Sequence, residues 1–196
     1  MPCAEHGSPC VNSLYDWRMD TAANLVLVGP MGAGKSSIGK RLAQALSLEF
    51  VDADRVLEAR TGASVADIFV CEGEAGFRRR ESALLQELLA GQGQLIATGG
   101  GVVLSDANRA LLSRDAFVVH LDVSVTEQLR RLARDRTRPL LQRDDREEVL
   151  HVMATDRAPL YAEVADLHLD TDGCTPDQAC RMLLPCIQNA WRGVAA

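Results

Sequence analysis

Three glycines and a lysine follow the first strongly apolar run of the chain, in the stretch LVLVGPMGAGKSSIG at residues 25–39. Gly29, four further residues and then Gly34-Lys35-Ser36 fit the phosphate-binding pattern G-x-x-x-x-G-K-[ST]. In this pattern backbone N–H groups surround phosphate oxygens, the lysine reaches the outer phosphates and the hydroxyl binds magnesium. These residue types at this spacing therefore predict a site for phosphates and Mg²⁺.

The residues around this motif place it between a strand and a helix. Residues 24–28 form an apolar run typical of a buried strand, and Ile38, Leu42 and Leu46 follow at helical spacing. The N-terminus of such a helix adds its free N–H groups and the positive end of its dipole to an anion site. The alternative is an ordinary glycine-rich turn between strand and helix.

Two aspartates follow the second strand-like run, residues 49–51. If Asp52 and Asp54 both lie in extended chain, their side chains share one face. One carboxylate can then hold Mg²⁺ through its water shell, while the other orients an attacking hydroxyl or takes its proton. In the alternative interpretation, Asp54 caps a helix that begins at Arg55.

A cluster of arginines, residues 78–80, precedes leucines at helical spacing. We expect the cluster in or just before the first turn of a helix, where the helix dipole disfavours a cation. Glu81 is one candidate counterion for Arg78. A bound carboxylate is the other, and has the better geometry because a guanidinium donates two parallel hydrogen bonds to it. Arg79 and Arg80 are interpreted as solvated.

The third strand-like run ends in three consecutive glycines, Gly99 to Gly101. The missing side chains leave room for a flat ligand against the backbone, where Gly100 can offer its N–H. A flexible turn is the alternative, although the pattern from Ser105 onward is helical and provides no hairpin partner. Ligands of open parallel sheets bind beyond the carboxyl ends of the strands, so we expect the glycines, the aspartates and the phosphate loop in one crevice.

Seven arginines lie between residues 130 and 146, around Pro139. This segment is too polar for a core and too long for a simple turn, which predicts a mobile lid over phosphates at residues 135–147. Arg138, held out of helical geometry by the proline, can bring its charge to a transferring phosphoryl group. A solvated loop with balanced charges is the alternative. Arg157, on the following helix, is a further candidate for the crevice.

Five apolar runs alternate with helical stretches, which predicts an α/β fold with parallel strands joined by right-handed crossovers. The runs are residues 25–28, 49–51, 95–97, 117–121 and 167–169. Two helices are predicted to start at capping boxes, residues 124–127 and 175–178, the second with Pro176 at the first helical position. Pro185 is expected to kink or end the last helix.

The chain has 196 residues, is 47% hydrophobic and carries a formal net charge of −6. Length and composition predict one domain at residues 23–192 behind a flexible tail at residues 1–22. The acidic balance argues against nucleic acid as a partner, and the apolar runs are too short to span a membrane. The six cysteines show no metal-ligand spacing and are expected to be free, buried thiols. We expect a cytoplasmic monomer.

Taken together, the motifs resemble the bacterial shikimate kinase family over about residues 24–190. The resemblance rests on GPMGAGKSSIG, VDAD, TGASVADIF, EGEAGFRRRE, TGGGVV, RTRPLL and RAPLY, in the family's order and at about its spacing. It implies a three-layer αβα fold of the P-loop NTPase type, with a central five-stranded parallel sheet and a mobile lid. The implied reaction transfers the γ-phosphoryl group of ATP to the 3-hydroxyl of shikimate, on the route to aromatic amino acids.

The resemblance also implies roles for individual residues. The implied catalytic residues are Lys35, Asp54 and Arg138. The implied ATP contacts are Gly32, Ala33, Gly34, Lys35, Ser36, Ser37, Arg131, Arg138 and Pro176, with Arg131 and the region of Pro176 beside the adenine. The implied shikimate contacts are Asp54, Arg78, Gly99, Gly100, Gly101 and Arg157, with both arginines on the carboxylate. Ser36 and Asp52 are the implied Mg²⁺ ligands.

Two other functions stay open at this stage. One is a kinase for another small hydroxy acid such as gluconate, which the triple glycine with Arg78 and Arg157 argues against. The other is a nucleotide-dependent switch that binds a partner protein, although the chain has no guanine-specific N-K-x-D motif.

Overall fold

The five predicted strands form the parallel part of one sheet in the computed structural model, which describes residues 10–11, 22–133 and 145–191. The strands are β2 (Asn24–Val28), β3 (Glu49–Asp52), β4 (Gln94–Ala97), β5 (Ala116–Asp122) and β6 (Leu167–Asp170). A short strand, β1 (Cys10–Val11), pairs antiparallel with β6. The order across the sheet is β1-β6-β5-β2-β4-β3, so β2 is central. The five-stranded parallel sheet is confirmed, with β1 as an addition.

Helices cover both faces of this sheet. They are α1 (Lys35–Leu46), α2 (Ala53–Thr61), α3 (Val65–Leu89), α4 (Asp106–Asp115), α5 (Val125–Arg131), α6 (Arg146–Val164) and α7 (Pro176–Ala190). Leu25 and Leu27 of β2 pack in one core with α1 and α7, whereas Val26 and Val28 pack in a second core with α2, α3, α4 and α6. Since strand side chains alternate between faces, a fully apolar strand requires cover on both sides. The three-layer αβα architecture is therefore confirmed.

The two predicted capping boxes have different outcomes. At α7 the box is complete, because Thr175 and Gln178 each bind the backbone of the other and Pro176 opens the helix. At α5 the Ser124 side chain accepts the N–H of Glu127, but the return bond is missing from the structure. The carboxylate of Glu127 binds the side chains of Arg130 and Arg131 instead, so this half of the prediction is wrong.

The last helix continues past Pro185 to Ala190, so of the two expected effects, a kink or an end, the end is wrong. A proline inside a helix removes one backbone hydrogen bond and crowds the preceding turn. Here one face of α7 carries Ala179, Leu183 and Ile187 into the core, and their burial offsets that cost.

The structure also shows the end of the predicted tail and four of the six cysteines. Ala22, the last residue of that tail, is buried, and its carbonyl accepts a 2.8 Å hydrogen bond from Nε1 of Trp191. Cys71 is exposed, and three further free thiols, Cys174, Cys180 and Cys186, are partly buried. The expectation of free thiols holds for these four, but that of full burial is wrong. Among the described residues, no helix is long and apolar enough to cross a lipid bilayer.

The close approach of Gly29, at the start of the phosphate loop, to β5 can be tested by substitution. Gly29 has φ +141°, and a side chain there would collide with the backbone carbonyl of Leu121 on β5. We expect Gly29→Ala to lower the free energy of unfolding by roughly 3 kcal/mol or more, because strain and a backbone clash add. Urea unfolding followed by circular dichroism measures this loss.

Gly62 provides the matched control, since it also has a positive φ, +67°, but a methyl group there meets nothing within 4 Å. Gly62→Ala should lose only about 1 kcal/mol, the cost of the left-handed conformation itself. Equal losses in the two variants would contradict the close approach of Gly29 to Leu121.

Candidate active site

The phosphate loop joins β2 to α1 in the predicted way. Gly34 is the N-cap of α1 with φ +89°, provides no side-chain cap, and is followed by a first turn without acidic residues. The first N–H groups of a helix have no partner inside the helix, so here they are left for a ligand, at the positive end of the dipole. The Lys35 ammonium donates to the carbonyls of Gly29 and Pro30, at 2.6 and 2.8 Å, and so lies against the loop.

Ser36 and Asp52 meet beside this loop. The Ser36 hydroxyl donates a 2.7 Å hydrogen bond to Asp52 Oδ2, and Asp52 Oδ1 accepts the N–H of Arg55. Asp52 is therefore the N-cap of α2, and the alternative in which Asp54 caps this helix is wrong. A hydroxyl and a carboxylate in contact offer oxygen ligands of the kind that Mg²⁺ prefers.

Asp54 reaches the crevice from a helix rather than from a strand. The chain leaves β3 at Asp52 and turns directly into α2, so Asp54 lies in the first helical turn and the expected shared extended segment is wrong. A methyl group on Gly99 would lie 3.1 Å from Asp54 Oδ1 and 2.8 Å from Glu81 Oε1. Two carboxylates therefore converge on the first glycine after β4.

Arg78 forms the wall of the crevice next to these carboxylates. It donates from Nη1 to Glu81 Oε2 at 2.7 Å and from Nη2 to Glu74 Oε1 at 3.2 Å. Glu81 is only 5% exposed, and burial raises the pKa of its carboxyl group although the Arg78 guanidinium opposes that rise. A side chain on Gly101 would collide with the Arg78 guanidinium. Arg78 and Glu81 thus form a largely buried ion pair against the glycine loop.

The helix that carries this pair is interrupted. At Gly73 φ is +67° and ψ is 178°, so α3 consists of two helical segments that meet at this residue. Residues 78–80 lie beyond the first turn of the second segment, residues 74–89, and not in or just before that turn as predicted. Arg79 and Arg80 are exposed, as interpreted, and Arg80 also pairs with Glu72.

Arg157 approaches the same glycines from the opposite side, on α6. Its Nη1 donates to the carbonyl of Gly100 at 3.1 Å, and the hydroxyl of Tyr161 donates to the same carbonyl. Gly100 in turn lies against the phosphate loop, because a methyl group there would be 3.4 Å from the carbonyl oxygen of Gly29. The structure therefore brings the loop, both arginines, both aspartates and the three glycines to one edge of the sheet.

Comparison with known proteins agrees with this geometry. A sequence profile described as shikimate kinase matches residues 31–188. Shikimate kinases of Stenotrophomonas maltophilia (strain R551-3) and Xanthomonas oryzae pv. oryzae (strain PXO99A) are 54% and 55% identical over 174 residues, which cover 89% of this chain and 97% of theirs. The structure of shikimate kinase from Acinetobacter baumannii in complex with shikimate is 41% identical with a TM-score of 0.83, covering 87% of this chain and 96% of that one.

This chain belongs to the shikimate kinase family. The family uses ATP as the phosphoryl donor, and the matched region contains the phosphate loop from residue 31 onward, α3 with Arg78, the glycine loop and α6 with Arg157.

Of the two residues assigned to the adenine, Arg131 contacts the phosphate loop and Pro176 lies at the start of the last helix. Arg131 donates to the carbonyls of Gly32 and Thr171 and to the carboxylate of Glu127, so it ties the loop to the end of β6. Pro176 is the first residue of α7. Arg138 and most of the predicted lid, residues 135–144, lie outside the described residues. Residues 146 and 147, which were also predicted to belong to the lid, form the start of α6.

Two aromatic residues next to the crevice, Tyr161 and His120, were not predicted from the sequence. Tyr161 is 3% exposed and His120 is 5% exposed, and their rings stack with centroids 4.7 Å apart. Tyr161 follows Arg157 by one helical turn, so helical spacing could have identified it. No comparable signal marks His120, because it lies in a strand among apolar residues and only the fold places it beneath the site.

A cavity of about 210 Å³ opens next to these aromatic residues. It lies between the phosphate loop, the end of β5 and α6, and its lining includes Met31, His120, Val125, Leu150 and Arg157. The Nε2 atom of His120 is buried and has no hydrogen-bond partner among the residues that the structure describes. The cavity is thus continuous with the arginine side of the crevice and mostly apolar in its walls.

His120 gives a prediction for the pH dependence of stability. Burial, with smaller effects from the charges of His168 and Lys35, lowers its pKa to about 4, although Asp122 opposes this shift. The unfolded chain therefore binds a proton near pH 6.5 that the folded protein does not bind until about pH 4. The free energy of unfolding should fall by on the order of 3 kcal/mol as the pH decreases through this window. His120→Phe, which keeps a stacked ring, should remove that part of the slope in urea unfolding.

His168 separates this effect from a general acid sensitivity. Its hydrogen bond with Asp122 raises the pKa of His168, so its contribution is complete below pH 6.5 and is lost above that value. His168→Gln should therefore leave most of the slope between pH 6.5 and 4 in place. A slope that disappears in His168→Gln and persists in His120→Phe would refute this assignment.

Proposed function

We propose that this protein transfers the γ-phosphoryl group of ATP to the 3-hydroxyl of shikimate, giving ADP and shikimate 3-phosphate. The observation that carries the proposal is the meeting, in one crevice, of a phosphate loop and a glycine floor between two guanidiniums. Membership of the shikimate kinase family and the shikimate bound in the Acinetobacter baumannii structure support the same substrate.

The phosphate loop holds the nucleotide in this proposal. Backbone N–H groups of residues 32–37 surround the phosphates, as the open start of α1 allows. Lys35 exchanges its contacts with the carbonyls of Gly29 and Pro30 for the outer phosphates, where its charge stabilises the negative charge of the transferring group. Arg131 and Pro176 border the adenine, and Arg138 brings a further positive charge to the γ-phosphoryl group.

Mg²⁺ fits the oxygen pair of Ser36 and Asp52, which already lie 2.7 Å apart beside the loop. Ser36 would ligate the ion directly and Asp52 would hold it through its water shell. When bound, the ion neutralises charge on the phosphate oxygens.

The acceptor lies on the other side of the crevice. Arg78 and Arg157 bind its carboxylate, Gly99 to Gly101 form the floor, and Asp54 binds ring hydroxyls. Each feature of shikimate, a flat ring with a carboxylate and hydroxyls, thereby has a matching group. Binding both substrates in one crevice orients the hydroxyl oxygen toward the γ-phosphorus.

Asp54 is proposed to act on the attacking hydroxyl. As the new O–P bond forms and the bond between the γ-phosphorus and the bridging oxygen of ADP breaks, the hydroxyl proton leaves toward the Asp54 carboxylate. In a loose transition state, proton transfer is late, so orientation of the hydroxyl is the main contribution expected of this carboxylate.

Two assignments remain, the location in the cell and the oligomeric state. Both are small, charged molecules of central metabolism, so we propose a cytoplasmic location. The crevice described above is assembled within one chain, and we propose that the protein acts as a monomer.

Release of ADP with Mg-ATP tests the reaction directly. We expect strong stimulation by shikimate and none by gluconate or a nucleoside monophosphate, because only shikimate matches the two arginines and the glycine floor. A coupled assay with each compound, and with ATP alone, measures this. Equal slow hydrolysis in all samples would favour a nucleotide-dependent switch, and stimulation by gluconate alone would favour the other small-acid kinase.

Two substitutions test the division of the crevice into acceptor and nucleotide sides. Arg78→Ala should raise the KM for shikimate by roughly 10- to 100-fold and leave the KM for ATP nearly unchanged, since of the two substrates only the acceptor receives charge-assisted hydrogen bonds from Arg78. Lys35→Ala should instead lower kcat by about two orders of magnitude or more, as expected for the loss of a donor to developing charge. Steady-state kinetics with each substrate varied in turn measures both effects.

Arg79→Ala is the matched control for Arg78→Ala, because Arg79 is the adjacent arginine on α3 and is exposed. It should leave both KM values close to those of the unchanged protein. Comparable defects toward both substrates in Arg78→Ala and Lys35→Ala would contradict the separate roles.

A further inference from the structure

The glycine loop cannot be held in place by side-chain packing, since residues 99–101 have no side chains. Its shape depends on where its backbone groups bond. The carbonyl of Gly99 accepts from the N–H of Val102, and that of Gly101 accepts from the N–H of Leu104. The carbonyl of Gly100 differs, because among the described residues its donors are two side chains of another element, Arg157 and Tyr161 of α6.

We infer that Tyr161 is a positioning residue for the acceptor site: its hydroxyl fixes the peptide between Gly100 and Gly101 and thereby sets the spacing of the Arg78 and Arg157 guanidiniums. The inference rests on the proposed function, since it concerns the arginines assigned to the shikimate carboxylate. Tyr161 itself is not proposed to touch either substrate.

The position of this peptide between the arginines carries the inference. Arg157 binds the carbonyl of Gly100, and the guanidinium of Arg78 lies directly against the Cα atom of Gly101. The peptide is planar and trans, so the carbonyl of Gly100 and the Cα atom of Gly101 belong to one rigid group. A displacement of this single group would therefore change the contacts of both arginines at once.

Tyr161 is well suited to hold such a group. It is 3% exposed, its ring stacks on His120 of β5, and it lies one helical turn from Arg157 on α6. Burial raises the pKa of Tyr161 to about 12, so the phenol remains a hydrogen-bond donor through the neutral pH range. The buried ring leaves the hydroxyl little freedom to move away from Gly100.

Tyr161 also shares the Gly100 carbonyl with Arg157. A guanidinium has five N–H groups, and within the described part of the chain its bond to this carbonyl comes from Nη1. With the phenol as a second donor, this carbonyl does not depend on Arg157 alone. Without the phenol, the carbonyl would retain only the Arg157 guanidinium as a donor. The orientation of the guanidinium toward the substrate would then vary with that of the Gly100 peptide.

Tyr161→Phe tests the inference, because it keeps the ring stacked on His120 and removes only the hydroxyl. We expect the KM for shikimate to rise about tenfold, as for the loss of one buried hydrogen bond that positions a charged group. The KM for ATP should stay within about twofold of the unchanged protein, and kcat should change less than the KM for shikimate. Steady-state kinetics with each substrate varied gives these values.

Trp191→Phe is the matched control for a general loss of stability. Like Tyr161, Trp191 is a buried aromatic residue whose polar atom donates to a backbone carbonyl, that of Ala22, at 2.8 Å. Ala22 precedes β2, so this bond lies at the amino-terminal ends of the strands, whereas the crevice lies at their carboxyl ends. We expect both variants to lower the midpoint of thermal unfolding, and only Tyr161→Phe to raise the KM for shikimate.

A double-mutant cycle with Arg157→Lys provides an independent measurement. If both side chains act through the Gly100 carbonyl, their effects on the KM for shikimate should be less than multiplicative in the double variant. Multiplicative effects, or a KM for shikimate that stays within twofold in Tyr161→Phe, would overturn the inference while the proposed function stands. If the unchanged protein released ADP equally with and without shikimate, the proposed function would fail and this inference with it.

Discussion

The central position of β2 is the constraint on which the crevice depends. β2 pairs with β4 on one side and with β5 on the other, and all three strands run in the same direction. The chain segments that leave their carboxyl ends are therefore adjacent: the phosphate loop after β2, the glycine loop after β4 and the residues around Asp122 after β5. Gly29 can pass beneath the carbonyl of Leu121 only because it has no side chain. This contact fixes the position at which the phosphate loop leaves the sheet. It thereby also fixes the start of α1, whose free N–H groups are open to phosphates.

Buried charge in the crevice has a structural cost that the fold compensates locally. An unpaired carboxylate as buried as Glu81 would be strongly unfavourable, and desolvation does raise the pKa of its carboxyl group. Arg78, three residues away on the same helix, compensates part of this cost with a 2.7 Å ion pair. The pair also fixes the guanidinium against Gly101, so the interaction that stabilises the buried Glu81 holds in one conformation the arginine proposed to bind the substrate. Removal of Arg78 would leave Glu81 buried without this ion pair.

Local sequence patterns predicted the elements well and the contacts between them poorly. The five strands and the phosphate loop have short-range signals, namely apolar runs and glycine spacing, and the structure reproduces them. Asp54 was expected beside Asp52 on extended chain, but the helix starts immediately after β3, because Asp52 itself provides the cap. The helical segment before Gly73 was not predicted; Ser64 and Asp67 start it with a capping box, and its residues have only a weak helical periodicity. Tyr161 and His120 meet only because β5 lies under α6, a long-range contact that no spacing in the sequence encodes.

The two arginines of the acceptor side are held in different ways, and this difference has a chemical consequence. Arg78 has carboxylate partners, Glu74 and Glu81, so much of its charge is compensated within the protein. Arg157 forms no ion pair within the described part of the chain, and its side-chain hydrogen bond goes to the neutral carbonyl of Gly100. A charged group placed this way gains most from an anion that arrives with the ligand, because the interaction forms in a partly desolvated site without breaking an existing ion pair. In the proposed function, the substrate carboxylate therefore meets Arg78, which is already paired within the protein, and Arg157, for which the substrate provides the counterion.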